Sequence, residues 1–411
     1  TYNNNHVHNI GIKIGIMTLT ETALEPAFPE QHESALEDLA CSVIGKAARL
    51  EGRVRGPLRE DLVEVTRWMH CYYSNLIEGQ HTRVHDIEAA LRRDFSSEPE
   101  KRDLQQLALA HLACQQWAAG FDGSPFAPEF LCELHRRFYS ELPESLRVAT
   151  SWTGVTVPLE PGKLRTTNVK VGTHVGPPHE LVPALLRHFR LRYGSPELSR
   201  AARIVVVAAS HHRLAWIHPF RDGNGRVVRL FSDTLIRRAA VDSGGLWSLS
   251  RGLAIRREEY YERLAAADRE RNPSSASDGL GHLSLGALAE FCEFVLRVML
   301  DQIGFMEKLL ELDTLADRIE RYSRQEAGLG DAGGRVSLLL REALYRGEFP
   351  RGEAGRVVGA GERTGRAALA AAVGAGLLKS STPKSPVRLA LPAKVLGAYF
   401  PQLVPPGQLH E

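Results

Sequence analysis

Residues 216–230, WIHPFRDGNGRVVRL, put a histidine, an aspartate, two glycines flanking an asparagine, and arginines into one turn and the start of a helix. Gly223, Asn224 and Gly225 would open that helix and leave several backbone N–H groups at its positive end, an arrangement that holds phosphate. Arg226 and Arg229 are three residues apart and share a side of the helix. Two guanidinium groups beside an N–H nest suit a polyphosphate better than a lone carboxylate. Asp222 sits at the lip, where a carboxylate could carry Mg²⁺ between phosphate oxygens. His218 precedes it and could take a proton from a hydroxyl that attacks phosphorus. Phe220 reads as the apolar plug that fixes the turn on the core.

Elements must hold this turn in place, and most of the chain reads as helix. RIVVVAASHHRLA before the turn and VVRLFSDTLIRRAA after it are apolar at helical spacing. Helices are also expected at ESALEDLACSVIGKAARLEG, LREDLVEVTRWMHCYYSNLIEG, VHDIEAALRRDF, DLQQLALAHLACQQWAAG, APEFLCELHRRFYSEL, HELVPALLRHFRLRYG and RREEYYERLAAADRE. One long helix is expected through LSLGALAEFCEFVLRVMLDQIGFMEKLLELDTLADRIERY. Only KLRTTNVKVGTH, residues 163–174, has the β-branched alternation of a strand or hairpin. Glycines in QEAGLGDAGGR mark a linker near residues 325–335. Beyond it, RVSLLLREALYRG, RGEAGRVVGA and RTGRAALAAAVGAG read as three short helices, and LLKSSTPKSPVRLALP as two short strands around a loop. That order is the winged-helix pattern. GAGERTG at 359–365 follows a helix rather than a strand and lacks the glycine spacing of a dinucleotide loop.

At 411 residues and 43% apolar content the chain can bury two or three domains. Charge is uneven. Residues 333–411 carry eleven Lys/Arg against five Asp/Glu, net +6, while the whole chain stands at only +2. Such a tail is expected to meet something anionic. Five scattered cysteines with no C-x-x-C pair point to reduced thiols in a cytoplasm and exclude a zinc knuckle or a disulfide framework. No apolar run approaches membrane-spanning length, so neither a membrane contact nor a signal peptide is expected. The opening TYNNNHVHNIGIKIGIM, residues 1–17, reads as an expression tag ending at a native start, Met17.

The stretch HPFRDGNGRVVR resembles the signature of Fic proteins, H-x-F-x-[DE]-G-N-G-R-x-x-R, with every fixed position filled, and the likeness extends from about residue 50 to about residue 300. The resemblance implies a mainly α fold: a Fic-type helical core with a β-hairpin flap, here with a C-terminal winged-helix domain. It implies that the loop binds ATP with Mg²⁺ and that AMP moves to a Ser, Thr or Tyr hydroxyl of a target protein. By position, His218 would be the base and Asp222 the Mg²⁺ ligand. Gly223, Asn224 and Gly225 would form the nest, and Arg226 and Arg229 would hold the outer phosphates. GKLRTTNVKVGTHVGPP resembles the family's flap, so Lys163, Leu164, Arg165, Thr166, Thr167, Asn168 and Val169 would dock an extended target by strand addition. Tyr260 and Tyr261 could offer a ring face to adenine.

YSNLIEG, residues 73–79, is similar to the family's inhibitory signature [ST]-x-x-x-[EN]-[GN], carried by Ser74, Glu78 and Gly79. The resemblance implies that Glu78 pairs with Arg229 and blocks the γ-phosphate site. Three alternatives stay open: removal of AMP with Glu78 positioning water, donors other than ATP, and an ATP-sensing DNA-binding regulator. For the last, Arg363 and Arg366 would lie on a recognition helix and Lys379, Lys384 and Arg388 on the wing. The expected division is residues 18–110 as an N-terminal helical region with the inhibitory helix, 111–325 as the catalytic core and 333–411 as the winged helix. The family implies that a homodimer is plausible.

Overall fold

The computed structural model describes residues 19–405 apart from 55, 151–153, 196, 276, 277 and 280. The segment read as a tag lies outside them. Five helices open the fold: α1 (Glu33–Arg53), α2 (Pro57–Ile77), α3 (Val84–Leu91), α4 (Pro99–Ala119) and α5 (Pro128–Ser140). Three of them begin at proline, where a missing N–H costs nothing. Two small antiparallel hairpins follow, β1 (Val148–Thr150) with β2 (Thr156–Pro158), and β3 (Lys170–Val171) with β4 (His174–Val175). Then come α6 (Val182–Tyr193), α7 (Arg200–Ile217), α8 (Asn224–Arg238), α9 (Leu249–Ile255), α10 (Arg257–Ala267), α11 (Leu285–Leu309) and α12 (Leu312–Arg321).

The centre is α7. Ser199 caps its start by accepting from the Ala202 N–H, and nearly every residue from Ile204 onward is buried. It packs on α1, α6, α8 and α11, so the loop 218–223 emerges from the most enclosed helix of the chain. The α2 helix lies across α4, α8 and α9 and delivers its C-terminal end to the same place.

Three expectations change. The long helix divides at Leu310–Glu311, where Glu311 is extended (φ −67°, ψ 117°) and starts α12. The apolar faces of α11 and α12 serve different neighbours, and α12 turns onto the C-terminal elements. Both α9 and the β1–β2 pair were too short to show periodicity. In the segment 163–174 only the last residues make a ladder, Lys170↔Val175 and Val171↔His174. Residues 163–169 bend instead, because Arg165 is buried inside them.

The C-terminal part has the expected three helices, α13 (Gly333–Arg346), α14 (Ala354–Val357) and α15 (Glu362–Gly374). The expected strand pair is present as β6 (Leu378–Lys379) and β7 (Val387–Leu389), joined by an unanticipated β5 (Glu348–Phe349) in the order β5-β7-β6. A last helix, α16 (Ala393–Tyr399), rests on α3 and α12. No helix among the described residues is long and apolar enough to cross a membrane.

This part docks on α2. Lys379 Nζ is 2.6 Å from Asp61 Oδ1, and Arg388 lies 3.3 Å from Glu60 and 3.8 Å from Asp61. Near the other end of α2, the Tyr73 hydroxyl donates to the Leu403 carbonyl at 2.8 Å. Two residues expected to face DNA phosphates, Lys379 and Arg388, therefore face carboxylates of the chain's own acidic part. Arg366 pairs with Glu362 within α15, and Arg363 and Lys384 are exposed. Reversing Lys379 and Arg388 together to Glu replaces three ion pairs, each worth about 0–1 kcal/mol, with repulsion. Hydrogen exchange should then accelerate in the first turns of α2 and in β6–β7, while α7 keeps its protection. Unchanged exchange at α2 would show that these pairs do not hold the contact.

Candidate active site

The turn between α7 and α8 is built around two left-handed residues. Gly223 (φ 76°) starts α8, and His218 (φ 50°, ψ 61°) ends α7. The left-handed region costs a non-glycine residue about 1–2 kcal/mol. Backbone contacts offset this at His218. Arg165 Nε donates to the His218 carbonyl at 2.8 Å and the Arg165 N–H to the Pro219 carbonyl at 2.9 Å. Arg165 Nη2 also donates to Pro177 at 2.5 Å, which ties the hairpin segment to the turn. This arginine, expected in a docking edge, is a buried brace.

Asn224 has a side-chain role that the sequence did not announce. Its amide closes the turn reciprocally, accepting from the Phe220 N–H at 2.9 Å and donating to the Phe220 carbonyl at 2.8 Å. Only its backbone remains for a nest. The Gly223 N–H donates to Asp222 Oδ1 at 2.5 Å. As the first N–H groups of α8, those of Asn224, Gly225 and Arg226 have no helical carbonyl to bind. Among the described residues no cluster of three or more His, Cys, Asp or Glu could hold a metal. The exposed Asp222 offers one carboxylate, which suits Mg²⁺ shared with phosphates and waters and does not suit a protein-only cage.

The two helix arginines are held from different sides. Arg226 donates to the Tyr139 hydroxyl at 3.0 Å and to Gln80 Oε1 at 2.9 Å. Arg229, almost wholly buried, donates to Ser74 Oγ at 2.9 Å, to the Ser74 carbonyl at 3.0 Å and to Glu78 Oε1 at 2.6 Å. The end of α2 delivers Glu78 through a Schellman turn. Gly79 is left-handed (φ 80°), its N–H donates to Leu76 at 3.0 Å, and the Gln80 N–H donates to Asn75 at 2.9 Å. Gly225 makes room: a Cβ there would lie 2.3 Å from Glu78 Oε1. Burial pushes the Glu78 carboxyl up, but Arg229 and Arg226 outweigh it and hold it below the usual carboxylate range.

A cavity of about 420 Å³ opens beside this pair, within the ~300–1,000 Å³ usual for small-molecule sites. Glu78, Arg229, Gly225, Asn224 and His218 line one side, and Tyr260, Tyr261 and Asp268 another; residues 171–174 of the hairpin complete the wall. Tyr260 spends its hydroxyl inward on His211 Nε2 at 2.7 Å, and Tyr261 donates to the Ile77 carbonyl at 3.1 Å. His218 Nδ1 lies 3.3 Å from the Ala215 carbonyl, which leaves Nε2 without a proton. Desolvation, with the nearby His174, pulls its imidazole down to about 4, so the ring is neutral across the neutral range.

Sequence reasoning missed His135. Its Nδ1 accepts from the Gly162 N–H at 2.8 Å, so Nε2 carries the proton and donates to the Asp222 carbonyl at 3.2 Å. The ring stacks on Phe220 with centroids 4.1 Å apart. Tyr139 and Gln80 were missed as well, since each reaches Arg226 from a distant segment.

Residues 125–236 match the model of the Fic/DOC family. Curated relatives carry the name "Protein adenylyltransferase Fic". One from Nematostella vectensis is 29% identical over 213 residues, 49% of this chain and 43% of the relative. Another, from Drosophila grimshawi, is 34% identical over 176 residues, 42% of this chain and 33% of the relative. The chain thus spans less than half the length of these relatives. Two solved structures of Fic-1 from C. elegans, 21% and 20% identical, superpose with TM-scores of 0.50 and 0.51 over 68% and 69% of this chain and 74% and 75% of theirs. That is a likeness of fold.

His135→Ala would strand the Gly162 N–H and remove the stack under Phe220. An unpaired buried donor costs about 1–3 kcal/mol; Gly162 is half-buried, so the loss falls at the low end, and the midpoint of chemical denaturation should fall measurably. An unaltered midpoint would mean that the turn holds without His135.

Proposed function

We propose that this Fic-family chain is a self-inhibited protein adenylyltransferase, moving AMP from ATP to a Ser, Thr or Tyr hydroxyl of a target protein. The observation that carries the reading is the pairing of Glu78 with Arg229 at 2.6 Å on the wall of the pocket that also holds His218 and the start of α8. A carboxylate at that guanidinium competes with any nucleotide phosphate for the same donors and repels it.

In the transfer reaction the phosphates lie against the free N–H groups at the start of α8. Arg229, once released from Glu78, and Arg226 stabilise the charge that gathers on departing pyrophosphate. Asp222 would hold Mg²⁺, which supplies charge neutralisation between phosphate oxygens when bound. His218 Nε2 takes the proton of the target hydroxyl. The hydroxyl oxygen forms its bond to the α-phosphorus as the bond to pyrophosphate breaks. Val171 and Val175 on the β3–β4 hairpin are exposed, and neither strand has a second sheet partner among the described residues. Such open edges suit an extended target segment. Tyr260 and Tyr261 stand on the wall available to adenine.

Glu78→Gly frees Arg229 and should raise AMP transfer, read as label from α-labelled ATP on protein in a bacterial lysate. Adding His218→Ala should abolish it. Equal rates for Glu78→Gly and the parent would remove the carboxylate from the mechanism. No label from any variant would sink the reaction itself.

The pH dependence follows from His218. A base with a depressed proton affinity is active above it, so the Glu78→Gly rate should hold level through a histidine's ordinary range and fall only towards about pH 4. An acid limb near the usual histidine value would contradict the assignment.

A further inference from the structure

The last four carbonyls of a helix have no N–H of that helix to accept from and need partners elsewhere. At the end of α2 they belong to Ser74, Asn75, Leu76 and Ile77. The cap supplies two partners, the Gln80 N–H for Asn75 and the Gly79 N–H for Leu76. Arg229 Nη2 takes the Ser74 carbonyl at 3.0 Å. The fourth carbonyl, that of Ile77, heads the peptide bond to Glu78, and its partners come from α10.

Arg257 Nε and the Tyr261 hydroxyl both donate to the Ile77 carbonyl, each at 3.1 Å. A carbonyl oxygen has two lone pairs, so the two bonds saturate it. The donors stand four residues apart on α10 and share one face of it. Arg257 also lies over the Tyr261 ring, its guanidinium carbon 5.4 Å from the ring centroid, within cation–π range. A cation suits the negative end of a helix dipole, whereas an anion is opposed there. The place of Glu78 therefore depends on contacts from outside α2.

The α10 helix is anchored without α2. Arg256, just before it, lies 3.2 Å from Asp301 of α11, and Arg263 lies 3.0 Å from Glu290 of α11. The Tyr260 hydroxyl lies 2.7 Å from His211 Nε2 of α7. The Ile77 side chain is itself fully buried. The peptide joining Ile77 to Glu78 is thus fixed by the core on one side and by α10 at its oxygen. That peptide aims the Glu78 side chain, whose carboxylate reaches Arg229.

We propose that Arg257 and Tyr261 form a latch on the inhibitory contact: positioning residues that act through the Ile77–Glu78 peptide and set how firmly Glu78 occupies Arg229. The latch deepens the self-inhibition proposed above, and its effect on transfer rests on that reading. Arg257 stands outside the described residues that line the pocket, so its loss weakens the brake without touching a nucleotide. Tyr261 lines the pocket, so its hydroxyl serves the brake while its ring borders the ligand space.

Two measurements on the full-length chain test this. Hydrogen exchange reads the latch directly. Arg257→Met and Tyr261→Phe each remove one of the two bonds, the second while keeping the ring. In each, exchange of the Gly79 and Gln80 N–H groups should quicken roughly fivefold, the worth of one ordinary hydrogen bond. Protection in α7 should stay as it is, which shows that the fold is intact. Unchanged exchange at the cap in both variants overturns the proposal whatever the enzyme's reaction is. Transfer of label from α-labelled ATP reads the consequence. Arg257→Met should raise transfer in the otherwise native chain, by less than Glu78→Gly does. Added to Glu78→Gly it should change nothing, because no carboxylate is left to hold. A fall in transfer in both backgrounds would mark general loosening of the fold and refute the positioning role. Equal transfer by Arg257→Met and the parent, with Glu78→Gly active, would refute it too. Absence of transfer in Glu78→Gly itself would count against the transferase reading and leave hydrogen exchange to judge the latch.

Discussion

The contact between Glu78 and Arg229 organises more than one pair of side chains. It is the end of a polar seam between α2 and α8. Glu78 and Ser74, one turn apart on α2, both meet Arg229, and one turn further back His70 lies 3.0 Å from Asp233, one turn beyond Arg229. Residues four apart on each helix face each other, the spacing that puts side chains on one face. Gly225 continues the row on α8, and its missing side chain is the space Glu78 occupies. A carboxylate in a partly buried seam interacts strongly with a neighbouring cation, because little water screens the pair. Leaving Arg229 unpaired there would cost more than the pair is worth on a surface. The seam therefore favours an anion at Arg229 at all times: Glu78 supplies it by default, and only another anion can take its place.

That constraint gives the C-terminal part a physical connection to the pocket. It touches α2 at its first turn through Lys379 and Arg388, and near its last through Tyr73, the neighbour of Ser74. Arg251 on α9 adds a bond from Nη2 to the Gln402 carbonyl at 2.7 Å, beside a buried bond to Gln302 of α11. Both ends of the helix that presents Glu78 are thus fastened to the same unit. The charge asymmetry between the two parts of the sequence is satisfied to that extent within the chain. Of the five basic residues expected to face DNA, Arg363, Arg366 and Lys384 stay outside this contact and are exposed.

The turn at 218–229 was legible because its chemistry is local: a helix start, a glycine pair and two arginines three apart need no knowledge of the rest of the chain. The end of α2 was legible for the same reason, since Gly79 announces a left-handed cap and Glu78 precedes it. His135, Arg165 and His174 were not, because each acts on a carbonyl far along the chain: Arg165 on His218, His135 on Asp222, His174 on Trp216. A side chain that bonds to backbone leaves no pattern of residue types at the receiving end. Asn224 was half legible: its place at the helix start announced a backbone N–H, while the use of its side-chain amide to close the turn on Phe220 depends on packing. The split between α11 and α12 was hidden because no glycine or proline marks it; packing alone decides it.

One electrostatic feature ties these observations together. Arg165, Arg226 and Arg229 are all buried around the turn, and their hydrogen bonds run to carbonyls, a tyrosine, a serine, a glutamine and a single carboxylate. Neutral acceptors orient a guanidinium without cancelling its charge. Arg226 and Arg229 flank the start of α8, and Arg229 meets a carboxylate directly while Arg226 meets neutral acceptors. A ligand carrying several negative charges could engage both guanidinium groups and the free N–H groups of α8 at once, which one carboxylate does not. In the proposed reading, the competition between Glu78 and a polyanion is set by how firmly the α2 cap holds Glu78.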